Sequence, residues 1–274
     1  MKWLNRIFDF YLDASVHVAF SVFSLLHISC YLLHVSLNVH LSYFLFFSTI
    51  ACYNFIKYGV EAEKYILVAN QYHKNIQFAS FIALGFALYH AYFLPFQLWK
   101  ALGLLLVLTG LYALPLLPKA KSLRSWGGLK IFMVGLVWAG TTVILPVIVS
   151  KHGLGWDVWV ETFQRVVLVL ILLMPFEIRD LQYDMPELRT IPQRYGVVQT
   201  KIFGGLAVML FFFSTFLKDN LSMLEIVSKG LLCLILGMAL VVVKTKQNKY
   251  FTSFWVEAIP IFWWGIIWGL FTQF

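Results

Sequence analysis

The segment Pro175-Phe-Glu-Ile-Arg-Asp-Leu-Gln-Tyr-Asp-Met-Pro-Glu-Leu-Arg-Thr-Ile-Pro-Gln-Arg-Tyr-Gly196 follows directly on the wholly apolar run Val166–Met174. An apolar run that ends in a dense charged segment is typical of a helix that leaves a membrane at its surface. Acids gain nothing from membrane topology and cost free energy if they are drawn into the bilayer. The segment therefore predicts a helical membrane protein with a polar site at one end of a span.

Two acids and two bases of this segment suggest what that site could bind. Asp180 and Asp184 are four residues apart, so on a helix both carboxylates would project from one face. Arg189 and Arg194 follow within reach of the same end. Hard oxygen ligands hold Mg²⁺ and arginines bind phosphate oxygens, so the set suits a metal-bridged phosphate group. A solvated helix end with i,i+4 charges would show the same residues, and this alternative stays open.

The composition of the chain decides its class. Of its 274 residues, 61% are hydrophobic and 12% are charged, and the mean hydropathy is +0.80. These values exclude a soluble globular domain and indicate a polytopic membrane protein, which we predict to form one domain over residues 1–274. The net charge of +8 lies in short segments between apolar spans, which argues for membrane topology and against nucleic-acid binding.

Apolar runs long enough to cross a bilayer predict an all-α integral membrane fold with about nine transmembrane helices. Helices are required because backbone groups that face lipid must be satisfied within their own segment. The predicted spans are Ala14–Leu33, Val39–Tyr58, Ile76–Pro95, Leu98–Leu117, Gly128–Val149, Val160–Leu181, Val197–Leu217, Leu221–Val243 and Phe254–Phe271.

The distribution of Lys and Arg predicts a cytoplasmic N-terminus. With that orientation, sixteen of the twenty-one bases lie in cytoplasmic segments, as the positive-inside rule favours. The remaining five, assigned to outside segments, are Lys100, Lys151, Arg165, Lys218 and Lys229. One cytoplasmic mouth would then collect Asp180 and Asp184 together with the bases Lys119, Lys121, Arg124, Lys130, Arg189 and Arg194. Some of these bases would instead contact anionic lipid headgroups.

Two motifs resemble signatures of the UbiA-type membrane prenyltransferase superfamily. The first is Arg179-Asp180-Leu-Gln-Tyr-Asp184 followed by Arg189-Thr190-Ile191-Pro192 and Gly196, which is similar to the family's Asp-x-x-x-Asp, basic-Thr-Leu-Pro and Gly. The second is Tyr112-Ala-Leu-Pro115-Leu-Leu-Pro-Lys119, similar to its Tyr, Pro and Lys after the fourth helix. The resemblance covers nearly the whole chain and implies a UbiA-like bundle.

The family's other aspartate signature is degenerate here. It normally reads Asn-Asp-x-x-Asp-x-x-x-Asp between the second and third helices, and this chain has Asn54-Phe55-Ile-Lys57-Tyr58-Gly-Val-Glu61-Ala62. Only Asn54 is retained. Glu61 could replace a lost Mg²⁺ ligand, or it could pair with Lys57 at a spacing of four. Lys57 itself could supply part of the positive charge that a metal ion would otherwise provide.

The resemblance implies transfer of an isoprenoid chain from a prenyl diphosphate to a lipophilic acceptor. It implies Asp180 and Asp184 as catalytic residues that bind Mg²⁺, and Glu61 is our candidate for a further metal ligand. It implies a diphosphate site formed by Asn54, Lys119, Arg124, Lys130, Arg189 and Arg194, to which our hypothesis for Lys57 adds a further base. The chain is expected in a bacterial cytoplasmic membrane, in contact with membrane lipid. Trp138, Trp255, Trp263, Trp264 and Trp268 either line the cavity or face lipid.

A second class of function stays open because three aspartates of the degenerate signature are missing. A non-catalytic relative could bind an isoprenoid or assist another membrane complex. A transporter is disfavoured, because the sequence shows no internal repeat and no paired broken helices.

Overall fold

The computed structural model describes residues 2–58, 71–113, 127–184 and 188–271. Within these ranges every regular element is a helix, which confirms the predicted all-helical class. Four residues predicted for the site or its mouth, Glu61, Lys119, Lys121 and Arg124, lie outside the described residues.

Eleven α-helices make up the described part of the chain. They are α1 (Lys2–Asp13), α2 (Val16–Leu32), α3 (Val39–Tyr58), α4 (Gln71–Tyr92), α5 (Leu98–Ala113), α6 (Gly127–Ala139), α7 (Leu145–Val149), α8 (Trp156–Asp180), α9 (Ile191–Phe213), α10 (Met223–Val242) and α11 (Ile259–Phe271). The π-helical segment Gly140–Ile144 joins α6 to α7, and a second, Phe251–Val256, precedes α11. A short 3₁₀ turn, Ser214–Leu217, ends α9.

As far as the described residues reach, each predicted span coincides with a helical stretch, and the end of the span Leu98–Leu117 lies outside them. Only some of these stretches are clear membrane crossings by themselves. Six are long and apolar enough to cross a bilayer, and a seventh is added if the bent pair α1–α2 counts as one span. Helix α5 is shorter, and α4 begins with the polar residues Gln71 to Asn75. The count of nine crossings and the side of the N-terminus stay predictions.

Helix α1 is an amphipathic helix that the nine predicted spans do not include. Trp3, Leu4 and Ile7 are exposed on one face, whereas Asp9 and Asp13 lie toward the bundle. The helix meets α2 at a bend of 55°, where Ser15 adopts a left-handed backbone conformation (φ 58°). This pattern is typical of a helix that lies in the membrane interface.

Helix α8 lies at the centre of the bundle. In an apolar stretch of 18 residues within α8, 72% of the residues are buried, compared with 33% in the corresponding stretches of α3, α9 and α10. Its residues Leu168 and Ile171 pack in a core with Leu236 of α10 and Trp263 of α11. The charged segment that follows α8 is therefore held in place by a well-packed central helix.

Three bases assigned to outside segments are instead buried inside the bundle, which corrects the sequence prediction. Arg165, Lys218 and Lys229 contact the carboxylates of Glu161 and Glu225, and we call these five residues the buried charge cluster. Because Arg165 and Lys229 lie within α8 and α10, a count of loop charges does not apply to them.

The buried charge cluster joins several helices at the end of the bundle opposite Asp180. Glu161 Oε2 accepts hydrogen bonds from Lys218 (2.8 Å) and Lys229 (3.0 Å). Arg165 donates to Glu161 Oε1 (3.2 Å), to the Leu25 carbonyl of α2 (3.0 Å) and to Ser29 Oγ (2.9 Å). The pairing allows five charges to lie inside an apolar bundle.

Candidate functional site at the polar mouth

The two predicted catalytic acids, Asp180 and Asp184, lie at the end of α8 and in the turn that follows it. The helix ends at Asp180, and Asp184 lies in the turn that comes next. Its backbone N–H still donates to the Asp180 carbonyl at 2.9 Å, which is the i to i+4 bond of a helix. The predicted spacing of one helical turn is thus retained, although the regular helix has ended. Both residues are partly exposed. We use the term mouth for the end of the bundle at which they lie.

Arg179, which sequence reasoning did not assign to the site, binds Asp180 directly. Its Nε and Nη2 atoms donate to the two carboxylate oxygens at 2.6 and 3.0 Å. Its Nη1 donates to Thr252 Oγ1 at 2.8 Å, which connects the end of α8 to the π-helical segment before α11. The guanidinium is held on two sides and is about one-third exposed (32%). A fixed arginine of this kind is suited to binding phosphate oxygens.

Glu177 brings a third carboxylate close to this pair. The Ile191 N–H donates to its Oε2 at 3.4 Å, so Glu177 contacts the first turn of α9. Its other oxygen is buried and has no hydrogen-bond partner among the described residues. Glu177 precedes Asp180 by three residues on α8, so the two carboxylates lie on one side of the helix end.

The start of α9 is held by Gln193 and redirected at Gly196. Gln193 accepts from the Thr190 N–H (2.9 Å) and donates to the Asp184 carbonyl (3.2 Å), so it holds the predicted motif in one loop. Gly196 has φ +80° and ψ 165°, a backbone conformation that is essentially restricted to glycine. The predicted bases Arg189 and Arg194 are exposed in this segment.

Asn54, the residue retained from the degenerate signature, is fully buried and ties helices together. Its amide group donates to the Ala14 carbonyl (3.0 Å) and to Ser80 Oγ (2.9 Å), and its Oδ1 accepts from Ser15 Oγ (2.8 Å). Both amide hydrogens are thus used within the protein. This geometry anchors the bend between α1 and α2 on α3 and α4.

Lys57 lies at the mouth, where it contacts an acid that sequence reasoning did not include. Its Nζ donates to the Asp13 carbonyl (3.3 Å) and lies 3.7 Å from Asp13 Oδ1. Asp13 Oδ2 also accepts from the Tyr72 hydroxyl at 2.8 Å. The Tyr58 hydroxyl donates to the Asp13 backbone carbonyl at 3.2 Å, so Asp13 lies beside one of the positions where the degenerate signature has lost an aspartate.

Two cavities meet at Tyr53. The first, the chamber, is a mostly apolar cavity of about 230 Å³ between α3, α5, α6 and α8, with Thr49, Cys52 and Trp138 in its wall and Lys130 at its edge. The second, the mouth cavity, is polar and measures about 180 Å³. Its charged lining residues are Asp9, Asp13, Lys57, Arg179, Lys249 and Glu257. Tyr53 lines both cavities, and Trp138 Nε1 donates to its hydroxyl at 2.9 Å.

The tryptophans divide between cavity, core and surface. Trp138 lines the chamber, as one of the two interpretations predicted. Trp263 is fully buried in the core and lies beneath the Arg165 guanidinium, with 5.8 Å between its ring centroid and Arg165 Cζ. Trp264 and Trp268 line a groove of about 490 Å³ at the opposite end, and Trp255 is exposed.

The described residues do not fit Mg²⁺ by themselves. They contain no group of three His, Cys, Asp or Glu side chains placed to hold a metal ion. Both carboxylate oxygens of Asp180 accept hydrogen bonds from Arg179, so Asp180 already has a cationic partner. Glu61, the third predicted ligand, belongs to the part of the chain that the structure does not describe. Mg²⁺ is therefore assigned no step in the proposed reaction.

Comparison with known proteins supports the fold. No family model and no curated protein sequence matches the chain. A solved structure of a digeranylgeranylglyceryl phosphate synthase in membranes, a UbiA-type prenyltransferase, superposes with a TM-score of 0.55 at 13% sequence identity. The match covers 96% of this chain and 96% of that one. It confirms the resemblance at the level of the fold, and with the apolar helices it shows an integral membrane protein.

Proposed function

We propose that this chain, which shares the UbiA-type prenyltransferase fold, transfers an isoprenoid chain from its diphosphate to a lipophilic acceptor. The observation that carries the proposal is the adjacency of the two cavities at Tyr53. An apolar chamber for the hydrocarbon next to a polar mouth for the diphosphate matches both ends of such a substrate.

The proposed reaction uses the two cavities differently. The bases Arg179, Lys57 and Lys130 bind the phosphate oxygens at the mouth. The allylic C–O bond then breaks, and its electron pair leaves with the diphosphate. The nucleophilic atom of the acceptor forms the new bond to carbon 1 and releases its proton to solvent at the mouth. The rings of Tyr53 and Trp138 stabilise the transient allylic cation, and the apolar wall limits access of water.

The volume of the chamber limits how much of a prenyl chain it can hold. Its volume of about 230 Å³ is smaller than the roughly 300–1,000 Å³ that is usual for small-molecule sites. A prenyl chain too large for this volume would therefore extend past the chamber wall into the bilayer. We propose a cytoplasmic membrane as the location, with the mouth on the cytoplasmic side, where a water-soluble diphosphate group would be released.

The proposal predicts that filling the chamber removes activity. Purified protein in lipid nanodiscs should release labelled diphosphate from a radiolabelled prenyl diphosphate of two to four isoprene units in the presence of membrane extract as acceptor source. Cys52→Trp places a large ring in the chamber and should lower this release by about tenfold or more, because the substrate loses its site. Val198→Trp, at a position exposed on the outside of α9, is the matched control and should be nearly neutral. Equal release from both variants would contradict the proposed site.

A second prediction concerns Lys57 and the metal. If Lys57 supplies positive charge that a metal provides elsewhere in the family, Lys57→Ala should bind inorganic pyrophosphate with a stronger dependence on Mg²⁺ than the unmodified protein. The measurement is a calorimetric titration with and without EDTA. Lys100→Ala, at the exposed end of α5, is the control and should leave the Mg²⁺ dependence unchanged. The same dependence in Lys57→Ala and in the unmodified protein would end this hypothesis.

A non-catalytic isoprenoid-binding relative is the second candidate. The observation that favours it is the engagement of both Asp180 oxygens by Arg179, in a chain that has Phe55 and Tyr58 where the family has aspartates. Tight binding of a prenyl diphosphate without release of diphosphate would support this candidate against the enzyme.

A further inference from the structure

Helix α1 contacts the bases of the mouth through two acids on one of its faces. Asp9 Oδ1 accepts from Lys249 Nζ (2.7 Å) and from the Tyr250 hydroxyl (2.9 Å). Asp13, one helical turn later, lies beside Lys57. Lys57, Lys249, Asp9 and Asp13 all line the mouth cavity. The carboxylates of α1 therefore occupy bases that face the cavity proposed for the diphosphate.

We infer that α1 is a lid whose Asp9 and Asp13 carboxylates hold Lys249 and Lys57 until the phosphate groups of the substrate displace them. A carboxylate and a phosphate oxygen satisfy the same ammonium donors, so the two cannot bind one lysine fully at the same time. The inference rests on the proposed function, because the displacing ligand is the diphosphate of that reaction.

The ion pairs that hold the lid are of the weak kind. The exposed fractions of the side chains are 46% for Lys57 and 38% for Asp13 in one pair, and 63% for Lys249 and 29% for Asp9 in the other. Ion pairs this exposed are screened by water and contribute little to stability. Rings also hold the lid, since Phe8 packs against Tyr250 and Phe254 at about 5 Å between centroids. A multiply charged ligand in the cavity can therefore replace the acids.

A hinge for this movement is present between α1 and α2. Ser15 has a left-handed backbone conformation at the 55° bend, and its hydroxyl is anchored on buried Asn54. The pivot is thus fixed to the bundle, while the helix before it carries Trp3, Leu4 and Ile7 on its exposed face. Because these residues suit the membrane interface, α1 can swing from the mouth without leaving the membrane surface.

The first experiment measures the binding of inorganic pyrophosphate by calorimetry, without Mg²⁺, to the full chain in lipid nanodiscs. The double variant Asp9→Asn/Asp13→Asn should bind pyrophosphate about three- to tenfold more tightly, because Lys249 and Lys57 no longer face an internal carboxylate. Asp219→Asn, an exposed acid at the opposite end, is the matched control and should bind as the unmodified protein does. Unchanged or weaker binding in the double variant would overturn the lid.

The second experiment measures movement of α1. It is needed because the removal of two acids also makes the electrostatic potential of the mouth more positive, which by itself would strengthen pyrophosphate binding. Pyrophosphate should raise the hydrogen exchange of the α1 backbone amides in the unmodified protein, and in the double variant these amides should exchange faster even without ligand. Tighter binding with unchanged α1 exchange would assign the effect to potential alone and overturn the lid. Release of labelled diphosphate from a prenyl diphosphate is measured separately. If pyrophosphate moves α1 but no label is released, the transferase reaction is contradicted and the movement of α1 is not.

If label is released but no variant binds pyrophosphate, the lid is contradicted and the transferase reaction is not.

Discussion

Glu161→Gln is expected to destabilise the bundle by about 3–5 kcal/mol, because it leaves three buried bases with a single remaining carboxylate. Glu161 is 1% exposed, and its two oxygens contact Arg165, Lys218 and Lys229. Glutamine keeps the size of the side chain but removes its charge. The surrounding cations are then inadequately paired in a medium of low dielectric constant, where water cannot screen their repulsion.

The measurement for Glu161→Gln is a denaturation titration in mixed micelles that follows helix content. Asp219→Asn is the matched control, since it removes one negative charge from an exposed position at the same end and should change stability little. Adding Lys229→Met to Glu161→Gln restores the excess of one positive charge that the unmodified cluster has and should recover part of the loss. A Glu161→Gln variant as stable as the control would show that the cluster does not hold the helices together.

Asp180→Asn is expected to lower the turnover of a radiolabelled prenyl diphosphate by about a hundredfold or more, with little change in stability. Asp180 binds Arg179 through two charged hydrogen bonds, and Arg179 lines the mouth cavity and reaches Thr252. The loss of the carboxylate frees the guanidinium from its fixed orientation. A mobile guanidinium stabilises the charge that develops on the diphosphate less well.

The readout for Asp180→Asn is kcat and KM for release of labelled diphosphate, beside a thermal unfolding curve. The substituted side chain is about one-third exposed (34%), so unfolding should move by little. Asp219→Asn again serves as the control of equal charge change. A drop in unfolding temperature that matches the loss of turnover would assign Asp180 a structural role. Unchanged turnover would remove it from the proposed chemistry.

Several features of the site could be predicted from sequence because they depend on neighbours along the chain. The charged segment after Met174 predicted that a span ends there, and α8 ends at Asp180. The spacing of Asp180 and Asp184 predicted one helical turn, which the backbone bond between them retains. The glycine of the motif, Gly196, has the positive φ that only glycine adopts easily. Local hydrogen bonding and local sterics are enough to produce each of these.

Other features were missed because they depend on residues far apart in the chain. Arg179 was not assigned to the site, since nothing local indicates that Thr252 lies within reach of it. The acids Asp9 and Asp13 carry no local signal of a site, yet they contact Lys249 and Lys57 at the mouth. A usable signal did exist for the buried charge cluster: Glu161 and Glu225 are each followed four residues later by a base within an apolar span.

The sequence by itself determined the membrane class, the helical architecture and the place of the polar mouth, because hydropathy, chain length and helical spacing act over a few turns. Only the tertiary structure decided which charges face each other. Glu161 meets Lys218 and Lys229 across 57 and 68 residues of sequence, and Asp9 meets Lys249 across 240. A base in an apolar chain has the same local pattern whether it marks a loop or neutralises a buried acid. The distinction arises when packing removes water from the pair, since the energy of a charge is set by what surrounds it in space.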